Sequence, residues 1–431
     1  MPEKAFDVLQ SRGYVEWCNA EDRLREVMDE GMITAYVGFD PTADSLHVGH
    51  LIPLMALAWL QRAGHRPIAL AGGGTGLIGD PSGKSRERNL ITVEEVRRNV
   101  EGVRPQLAHF LDFDCGANSA LLLNNYDWLS SHSFLEVLRD VGKYFSVNSL
   151  IAREYVRSRL EDPDKGISYT EFSYVLLQAM DFRHLYEAHG CRLQMGGNDQ
   201  QGNLLAGSDY VRKSMGGEVF GLTQPLLLTA SGTKFGKTEA GAVWLDPRRT
   251  SPYRFYQFWF NTDDRDVERL LKLFTFLPLD EIRDLMERHA ARPEERAAQR
   301  RLALEVTQLV HGEGAALSVV KASSVLFDAE SDLTDLTEET YAALSGRGSL
   351  CRGEPGPARG LAGRAHGLRG LREPGRGQKG DPTGRCIPER DAGLRRGGGR
   401  VPGGARKGPL PFCPDRAQAV PPGRLLVDSG A

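Results

Sequence analysis

The sequence predicts an α/β protein in which a mostly parallel sheet is followed by a helical region. Short apolar segments alternate with longer helical segments through residues 1–225, as expected when helices cover both faces of a parallel sheet. From residue 252 to about residue 328 the strand signals give way to helical periodicity. The length of 431 residues fits two or three domains, and a hydrophobic content of 40% is enough for a sizeable core.

The first half of the chain contains both kinds of element in alternation. Residues 1–30 indicate an amphipathic helical start. Next come a strand with the sequence ITAYVGFD (33–40), an apolar helix from Leu51 to about Gly64, and a strand with the sequence RPIALAGGG (66–74). The later predicted elements are a strand at Ala120–Leu123, helices at Ser133–Val141 and Ser168–His189, and a strand at Gly190–Met195 that ends in Gly196-Gly197. Ligands of such sheets bind beyond the carboxyl ends of the strands.

The rest of the chain is expected to divide by composition. Residues 226–251 form a linking segment with a Gly-rich basic loop, and residues 252–328 form the helical region. An acidic linker at 329–350 separates this region from a tail at 351–431 that is rich in Arg, Gly and Pro.

Charge and cysteine usage exclude several classes of protein. The net charge is −3, but residues 351–431 carry +9, so the first 350 residues carry −12. An acidic body does not fit a general DNA-binding protein, and RNA binding would require a local basic patch. The six cysteines form no CxxC pattern, so no protein-bound metal or disulfide framework is expected. The polar start and the short longest apolar run predict a cytoplasmic protein without a membrane segment.

A histidine segment follows the first predicted strand. His47 and His50 are three residues apart at a helix start, so they lie on one face. A helix N-terminus favours anionic phosphate, and Gly49 leaves room for a flat base on the backbone. We expect Thr42 and His47 to donate to a triphosphate; the alternative is a pair of ordinary solvated histidines.

A basic loop lies about two hundred residues later. Lys234 and Lys237 flank Phe235-Gly236, so two ammonium groups can stabilise negative charge that develops on phosphate oxygens. A solvated basic turn is the alternative. The position of the loop, at the junction between the α/β and helical regions, favours the catalytic interpretation.

A polar stripe runs along the helix predicted at 169–189. Tyr174, Gln178 and Asp181 stand at i, i+4 and i+7, which places them on one face. The stripe is either the solvent face or one wall of a ligand site. Because the helix is otherwise apolar, and buried polar groups need partners, we favour a small polar ligand.

A GxGxxG pattern at Gly74–Gly79 suggests a dinucleotide site. The fingerprint normally opens a helix, whereas Asp80-Pro81-Ser82-Gly83 follows here and predicts a loop. We therefore do not favour a nicotinamide cofactor.

Together the motifs resemble the bacterial tyrosyl-tRNA synthetases, a family of class I aminoacyl-tRNA synthetases. The segments that carry the resemblance are GFDPTADSLHVGH (38–50), GLIGDPSG (76–83), GCRLQMGGNDQ (190–200), GTKFGKT (232–238) and SPYRFYQFWFNTDDRDV (251–267). The resemblance covers about residues 5–345. It implies a Rossmann-type catalytic domain, a helical anticodon-binding domain at 252–328, and a homodimer.

The resemblance also implies roles for individual residues. The phenol and ammonium groups of tyrosine would be bound by Tyr36, Asp80, Tyr174, Gln178 and Asp181, with Gln200 near the carboxylate. The ATP site would include Asp40, Gly49, Gly197, Asp199 and Lys237, and the phosphates would meet Thr42, His47, His50, Lys234 and Lys237. Candidate tRNA contacts are Lys84, Arg88, Arg212 and Lys213.

The implied reaction is activation of L-tyrosine by Mg·ATP, followed by transfer of the tyrosyl group to the 3′ end of tRNA(Tyr). No protein nucleophile is required. Two alternatives stay open, a non-catalytic RNA-binding paralogue and a tryptophan-specific relative.

The tail does not match the small S4-like RNA-binding domain with which this family normally ends. Gly, Arg and Pro make up 44 of the 81 residues from 351 to 431, with one Ile and one Phe. Such a segment buries too little apolar surface to offset ordering entropy. It is either a disordered basic tail or, as we favour, the product of a GC-rich gene read in a shifted frame.

The intact mass of the protein purified from its host decides between these two interpretations. A shifted frame after about residue 346 predicts a mass that differs from the 47.5 kDa of this sequence. A mass equal to that of the printed sequence would refute the frameshift.

Overall fold

The computed structural model describes residues 4–82, 91–162, 166–230, 232–233, 235–238 and 241–327. The side chains of residues 155, 237, 238 and 324–327 lie outside this description, as does the whole of the tail at 351–431.

A six-stranded sheet organises the first part of the chain. Its order is β1-β6-β5-β2-β3-β4, and only the β1–β6 pair is antiparallel. The strands are β1 Trp17–Cys18, β2 Thr34–Phe39, β3 Arg66–Ala71, β4 Leu121–Asn124, β5 Cys191–Gly197 and β6 Phe220–Gln224. From β2 the chain builds the sheet towards β4, and from β5 it builds in the opposite direction. The order therefore reverses between β2 and β5, where a crevice opens at the carboxyl ends of the strands.

Helices cover both faces of this sheet. They are α1 Ala5–Arg12, α2 Glu21–Glu30, α3 Leu51–Arg62, α4 Thr75–Ile78, α5 Val93–Leu107, α6 Tyr126–Leu129, α7 Phe134–Glu136, α8 Val147–Ile151, α9 Glu154–Leu160, α10 Tyr169–His189 and α11 Gln201–Met215. Helix α3 packs on one face, and α10 and α11 pack on the other. A small antiparallel hairpin follows, with β7 at Lys237–Thr238 and β8 at Gly241–Ala242.

From residue 252 the described chain is helical. The helices are α12 Pro252–Phe260, α13 Asp264–Phe274, α14 Leu279–Ala291, α15 Ala297–His311 and α16 Glu313–Phe327. Each helix buries an apolar face, as in α13, where Val267, Leu270, Leu271 and Phe274 are buried at helical spacing. Nowhere in the described ranges is a helix both long enough and apolar enough to cross a membrane.

The helical region and the sheet share one continuous hydrophobic core. The Arg12 guanidinium, at the end of α1, lies 3.9 Å from the ring centroid of Trp59 and donates 2.7 Å to the carbonyl of Leu277. The Tyr14 hydroxyl donates to the carbonyl of Leu273 at the end of α13. Trp59 of α3 in turn contacts Phe276, with ring centroids 5.1 Å apart. Because packing continues across residue 251, the division of the chain into domains stays a prediction.

The predicted fold class is confirmed, but one local prediction is wrong. Residues 1–30 are not wholly helical, because Trp17–Cys18 forms an edge strand that pairs with β6. The loop predicted from Asp80 is confirmed for its described residues, 80–82, and one helical turn, α4, precedes it. Helix α4 approaches the loop that follows β2 closely, since a Cβ atom on Gly76 would lie 3.3 Å from the Pro41 ring. Helices α5 and α11 and strand β6 had no counterpart in the sequence prediction.

Candidate active site

A cavity of about 440 Å³ opens where the strand order reverses. Its walls come from the carboxyl ends of β2 and β5, the start of α3, one side of α10, and the hairpin that carries the basic loop. The volume is that of a pocket for a small ligand. Of the predicted site residues, the cavity brings together Tyr36, Asp40, His47, Gly49, His50, Asp80, Tyr174, Gln178, Asp181, Gly197, Asp199 and Gln200.

Asp181 is a buried carboxylate with two fixed donors. Asn125 Nδ2 lies 2.8 Å from its Oδ2, and Trp128 Nε1 lies 2.8 Å from its Oδ1. Asn125 is itself held, because its Oδ1 accepts from the Gly74 amide at 2.7 Å. Burial raises the pKa of Asp181 to about 7, although the two hydrogen bonds lower it. At neutral pH the ionised form is therefore held in place but lies close to protonation.

Tyr36 presents a hydroxyl without a partner at the same end of the cavity. The residue is buried, and its phenol oxygen has no hydrogen-bond partner in the part of the chain that the structure describes. Its ring meets Phe182 edge-on, with centroids 5.4 Å apart. Burial, and then the charge of Asp181, raises the pKa of Tyr36 well above its ordinary value. Tyr36 is therefore a neutral phenol whose O–H is missing the partner that a ligand would supply.

A second carboxylate, Asp80, anchors an amide network that reaches α10 through Gln200 and Gln178. Gln200 Nε2 donates to Asp80 Oδ2 at 2.6 Å, and the Ser82 amide donates to Oδ1 at 2.8 Å. Gln178 Nε2 donates 3.2 Å to Gln200 Oε1, and Asn203 Nδ2 donates 3.0 Å to Gln178 Oε1. Burial raises the pKa of Asp80 to about 6, partly offset by the hydrogen bond from Ser82. This end of the cavity therefore offers a carboxylate and amide oxygens to a cation.

The two histidines stack at the start of α3. Their ring centroids are 3.9 Å apart, and the planes differ by 26°. The Gly49 amide donates 3.1 Å to His47 Nδ1, and the His47 amide donates 3.2 Å to His50 Nδ1. Because each Nδ1 is an acceptor, the proton of each neutral ring is on Nε2. Burial, together with His47, lowers the pKa of His50 to about 3, so His50 is neutral at physiological pH.

Backbone hydrogen bonds join the hairpin to the histidine segment. The Val48 amide donates 2.9 Å to the Val243 carbonyl, and the Val243 amide donates 3.2 Å to the Gly236 carbonyl. Gly236 has φ of +83°, and a Cβ atom there would lie 3.4 Å from Val48 Cβ. Phe235 packs against Phe258, with centroids 5.1 Å apart. The ring anchors the start of the basic loop in the helical region.

Some predicted residues lie away from the cavity or outside the description. Thr42 is exposed, and it does not line the cavity. Lys84, Arg88 and Lys234 fall outside the described residues, and only the backbone of Lys237 is described. Arg212 and Lys213 lie on α11, where both pair with Asp209.

Several residues of the site were missed by the sequence analysis. Asn125, which lines the cavity, and Trp128, which donates to Asp181, both follow β4. The rule that ligands meet the carboxyl ends of parallel strands is the signal that could have found them. Gln194 and Gln224 also line the cavity. Gln194 Oε1 and both polar atoms of Gln224 are buried and have no hydrogen-bond partner among the described residues. Within the described ranges, no three His, Cys, Asp or Glu side chains are grouped so as to hold a metal ion.

Comparison with known proteins gives one consistent result. The family described as "tRNA synthetases class I (W and Y)" matches residues 28–328. The tyrosine–tRNA ligase of Roseiflexus castenholzii is 55% identical over 322 residues, which is 75% of each chain. That of Anaeromyxobacter dehalogenans strain 2CP-C is 60% identical over 304 residues, 70% of this chain and 71% of the relative.

A solved structure gives the same relationship at lower identity. The C-terminally truncated mitochondrial tyrosyl-tRNA synthetase of Aspergillus nidulans superposes with a TM-score of 0.68 at 34% identity. The superposition covers 75% of this chain and 94% of that one.

Proposed function

The chain belongs to the class I tRNA synthetases of the tryptophan and tyrosine type, and we infer that it is a tyrosine–tRNA ligase whose cavity joins L-tyrosine to ATP. The tyrosine carboxylate attacks the α-phosphate in line, which gives tyrosyl-adenylate and pyrophosphate. The tyrosyl group then passes to the 3′-terminal ribose of tRNA(Tyr). The protein contributes positioning and electrostatic stabilisation rather than a nucleophile.

The observation that carries this proposal is that one cavity holds both the unpartnered hydroxyl of Tyr36 and the carboxylate of Asp181. A phenol hydroxyl both donates and accepts, so it can donate to the Asp181 carboxylate and accept from the unpartnered Tyr36 O–H. An indole N–H only donates and would leave Tyr36 unsatisfied. This complementarity favours tyrosine over the alternative of a tryptophan-specific relative.

The other end of tyrosine fits the amide network. An ammonium group would donate to Asp80 and to the oxygens of Gln178 and Tyr174, all of which line the cavity. Gln200, already bonded to Asp80, lies beside the position of the reacting carboxylate. We assign binding of the tyrosine ammonium to Asp80, Gln178 and Tyr174 on this basis.

The phosphates are assigned to the stacked histidines and the basic loop. His47 and the neutral His50 can donate through Nε2–H at a helix start, where the backbone dipole also favours anions. In the sequence, Lys234 and Lys237 flank Phe235-Gly236, and Gly236 lies beside Val48, so we assign both lysines to the phosphates. Donors aimed at the charge that develops on leaving pyrophosphate are the main source of acceleration in such a site. Asp40, Gly49, Gly197 and Asp199, which line the cavity, would line the nucleotide.

Magnesium enters this proposal with the nucleotide. Mg²⁺ keeps several waters and binds phosphate oxygens readily, so it needs no cage of protein ligands. We therefore propose Mg·ATP as the substrate, with the ion on the triphosphate.

Two macromolecular partners are proposed, tRNA and a second copy of the chain, and the candidate contacts for tRNA are basic side chains. Arg212 and Lys213, with Lys84 and Arg88, are candidate contacts for the acceptor end of tRNA. Asp209 neutralises part of the Arg212 and Lys213 charge in the structure, so tRNA phosphate would compete with this carboxylate.

The cytoplasm is the expected compartment.

A homodimer is proposed because large apolar side chains are exposed in one stretch of the chain. Leu135 is 76% exposed, and five others lie between residues 134 and 160: Phe134, Leu138, Val147, Ile151 and Leu160. Monomers rarely leave such concentrations of apolar surface in water. A second copy of the chain, as the family resemblance implies, is the occupant that we propose.

A pyrophosphate-exchange assay tests the activity and the role of Asp181. The protein should exchange pyrophosphate into ATP only when tyrosine is present, and should then charge tRNA(Tyr). Asp181→Ala should lower the preference for tyrosine over phenylalanine, measured as the ratio of kcat/KM values, by about tenfold to a hundredfold. This ratio is independent of the fraction of active enzyme.

The same assay separates the alternatives. Exchange that depends on tryptophan instead would identify the tryptophan-specific relative. Absence of exchange with every amino acid, with retained RNA binding, would identify a non-catalytic paralogue. Undiminished selectivity in Asp181→Ala would remove this residue from the phenol site.

The raised pKa of Asp80 predicts how tyrosine binding depends on pH. An ionised Asp80 attracts the ammonium group, and protonation below about pH 6 removes that attraction. Affinity for tyrosine should therefore fall about tenfold as the pH falls from 7 to 5. Calorimetric titrations at a series of pH values measure the change.

A ligand without the amino group isolates this effect. The affinity of 3-(4-hydroxyphenyl)propionic acid should not show the loss assigned to Asp80, although it keeps any contribution from Asp181. Asp80→Asn should bind tyrosine weakly at every pH and should lack the step near pH 6. Equal pH dependence for the two ligands would contradict the assignment.

The dimer is tested by a charge on the exposed apolar surface. Leu135→Glu should shift the mass in sedimentation equilibrium from twice 47.5 kDa towards 47.5 kDa, because a buried unpaired carboxylate opposes association. Leu317→Glu, at a leucine that is 51% exposed in the helical region, is the matched control and should stay dimeric. A monomeric wild-type protein, or a dimeric Leu135→Glu variant, would contradict the proposed surface.

A further inference from the structure

Gln224 is a buried amide in the cavity wall that has no part in the proposed binding of tyrosine or of the phosphates. It ends β6, is 1% exposed, and lines the cavity. Neither its Oε1 nor its Nε2 has a hydrogen-bond partner in the described part of the chain. A buried polar atom without a hydrogen-bond partner destabilises the fold. A ligand that brings one donor and one acceptor would remove this destabilisation.

The position of Gln224 is at the nucleotide end of the cavity. It stands opposite Gly197 in the β5–β6 register. The chain continues from Gln224 to Leu227, whose carbonyl accepts from the Phe235 amide at 3.0 Å and so joins this segment to the basic loop. Gln224 therefore lies between the glycine assigned to the ATP site and the loop assigned to the phosphates.

Strand alternation separates Gln224 from the tyrosine pocket. Phe220 and Leu222, four and two residues earlier on β6, belong to the core on the α3 face of the sheet, so Gln224 faces the same side. Tyr36 instead packs with Phe182 of α10 on the opposite face. The amide is thus placed to meet the second substrate rather than the phenol of the first.

The surroundings of Gln224 fit a flat apolar base. Val48, Met195, Leu226 and Leu227 line the same cavity, and a pocket of this kind orients its ligand through a few polar groups. A phosphate oxygen only accepts and would leave Oε1 of Gln224 unpaired. The edge of adenine presents an amino donor beside a ring-nitrogen acceptor, the pattern that a glutamine amide matches with two hydrogen bonds.

We propose that Gln224 reads the adenine edge of ATP, with Oε1 accepting from the 6-amino group and Nε2 donating to the adjacent ring nitrogen. This inference rests on the proposed function. It makes Gln224 a specificity-determining residue for the nucleotide. Filling the site would satisfy both amide atoms at once.

Purine riboside 5′-triphosphate, which lacks the 6-amino group, tests this assignment. In tyrosine-dependent pyrophosphate exchange the wild-type kcat/KM should favour ATP by about tenfold. Gln224→Met, which has similar volume but no amide, should lose this preference while its KM for tyrosine stays within about twofold. The melting temperature without ligands should not fall, because the variant removes two unpaired polar atoms.

Gln194→Met is the matched control. Gln194 also lines the cavity and has a buried unpartnered oxygen, but it pairs in register with Tyr36. This variant should keep the preference for ATP. Loss of the preference in Gln194→Met but not in Gln224→Met would overturn the assignment.

The comparison of ATP with purine riboside triphosphate in the wild-type protein can overturn the proposal even if a variant fails to fold. Equal use of ATP and purine riboside triphosphate by the wild type would overturn the proposal, as would an undiminished preference in Gln224→Met or in a second variant, Gln224→Leu. Absence of tyrosine-dependent exchange with either triphosphate would instead refute the proposed function on which the inference rests.

Discussion

The site depends on a short run of backbone hydrogen bonds between two segments almost two hundred residues apart. Val48 donates to Val243, and the Leu245 amide donates 2.9 Å to the Leu46 carbonyl. Gln106 of α5 completes the arrangement from the other side, because its Oε1 accepts from the Leu46 amide at 2.9 Å. This pairing fixes the start of α3, which carries the histidines, against the hairpin, while Phe235 anchors the start of the basic loop through its contact with Phe258. These backbone hydrogen bonds hold the two loops together as one surface.

The polar groups of the cavity are costly when it is empty. Burial raises the pKa of both Asp80 and Asp181, and Tyr36 and Gln224 carry unpaired polar atoms. These groups destabilise the unliganded fold relative to an apolar cavity of the same shape. A substrate that supplies the missing hydrogen bonds removes this destabilisation when it binds, which strengthens binding and stabilises the folded state. A ligand with similar bulk but without the matching polar groups does not gain this contribution, which is how a small pocket becomes selective.

Much of the fold and the main polar stripe followed from local sequence patterns. Tyr174, Gln178 and Asp181 were placed together because helical spacing alone puts them on one face, and the first strands were visible in their apolar runs. Asn125 is 56 residues from Asp181, its hydrogen-bond partner, so no spacing rule brought the two together. Strand β6 was missed, and with it Gln224, because a five-residue buried strand has too little periodicity to separate it from a loop. The raised pKa values of Asp80 and Asp181 could not be predicted from the sequence either, because they depend on how deeply the folded chain buries each carboxylate.

The continuous core between the sheet and the helical region also limits how far these two regions can move relative to each other. Arg12 donates to the carbonyl of Lys272 and Tyr14 donates to that of Leu273, both in the last turn of α13, and Trp59 and Phe276 pack across the same junction. Two regions joined by a flexible hinge can move relative to each other, whereas two regions that share a core move as one body. The helices from α12 onward are therefore held at a fixed distance from the cavity. If the proposed tRNA contacts both the far end of these helices and the cavity, it must match a distance that is set when the chain folds.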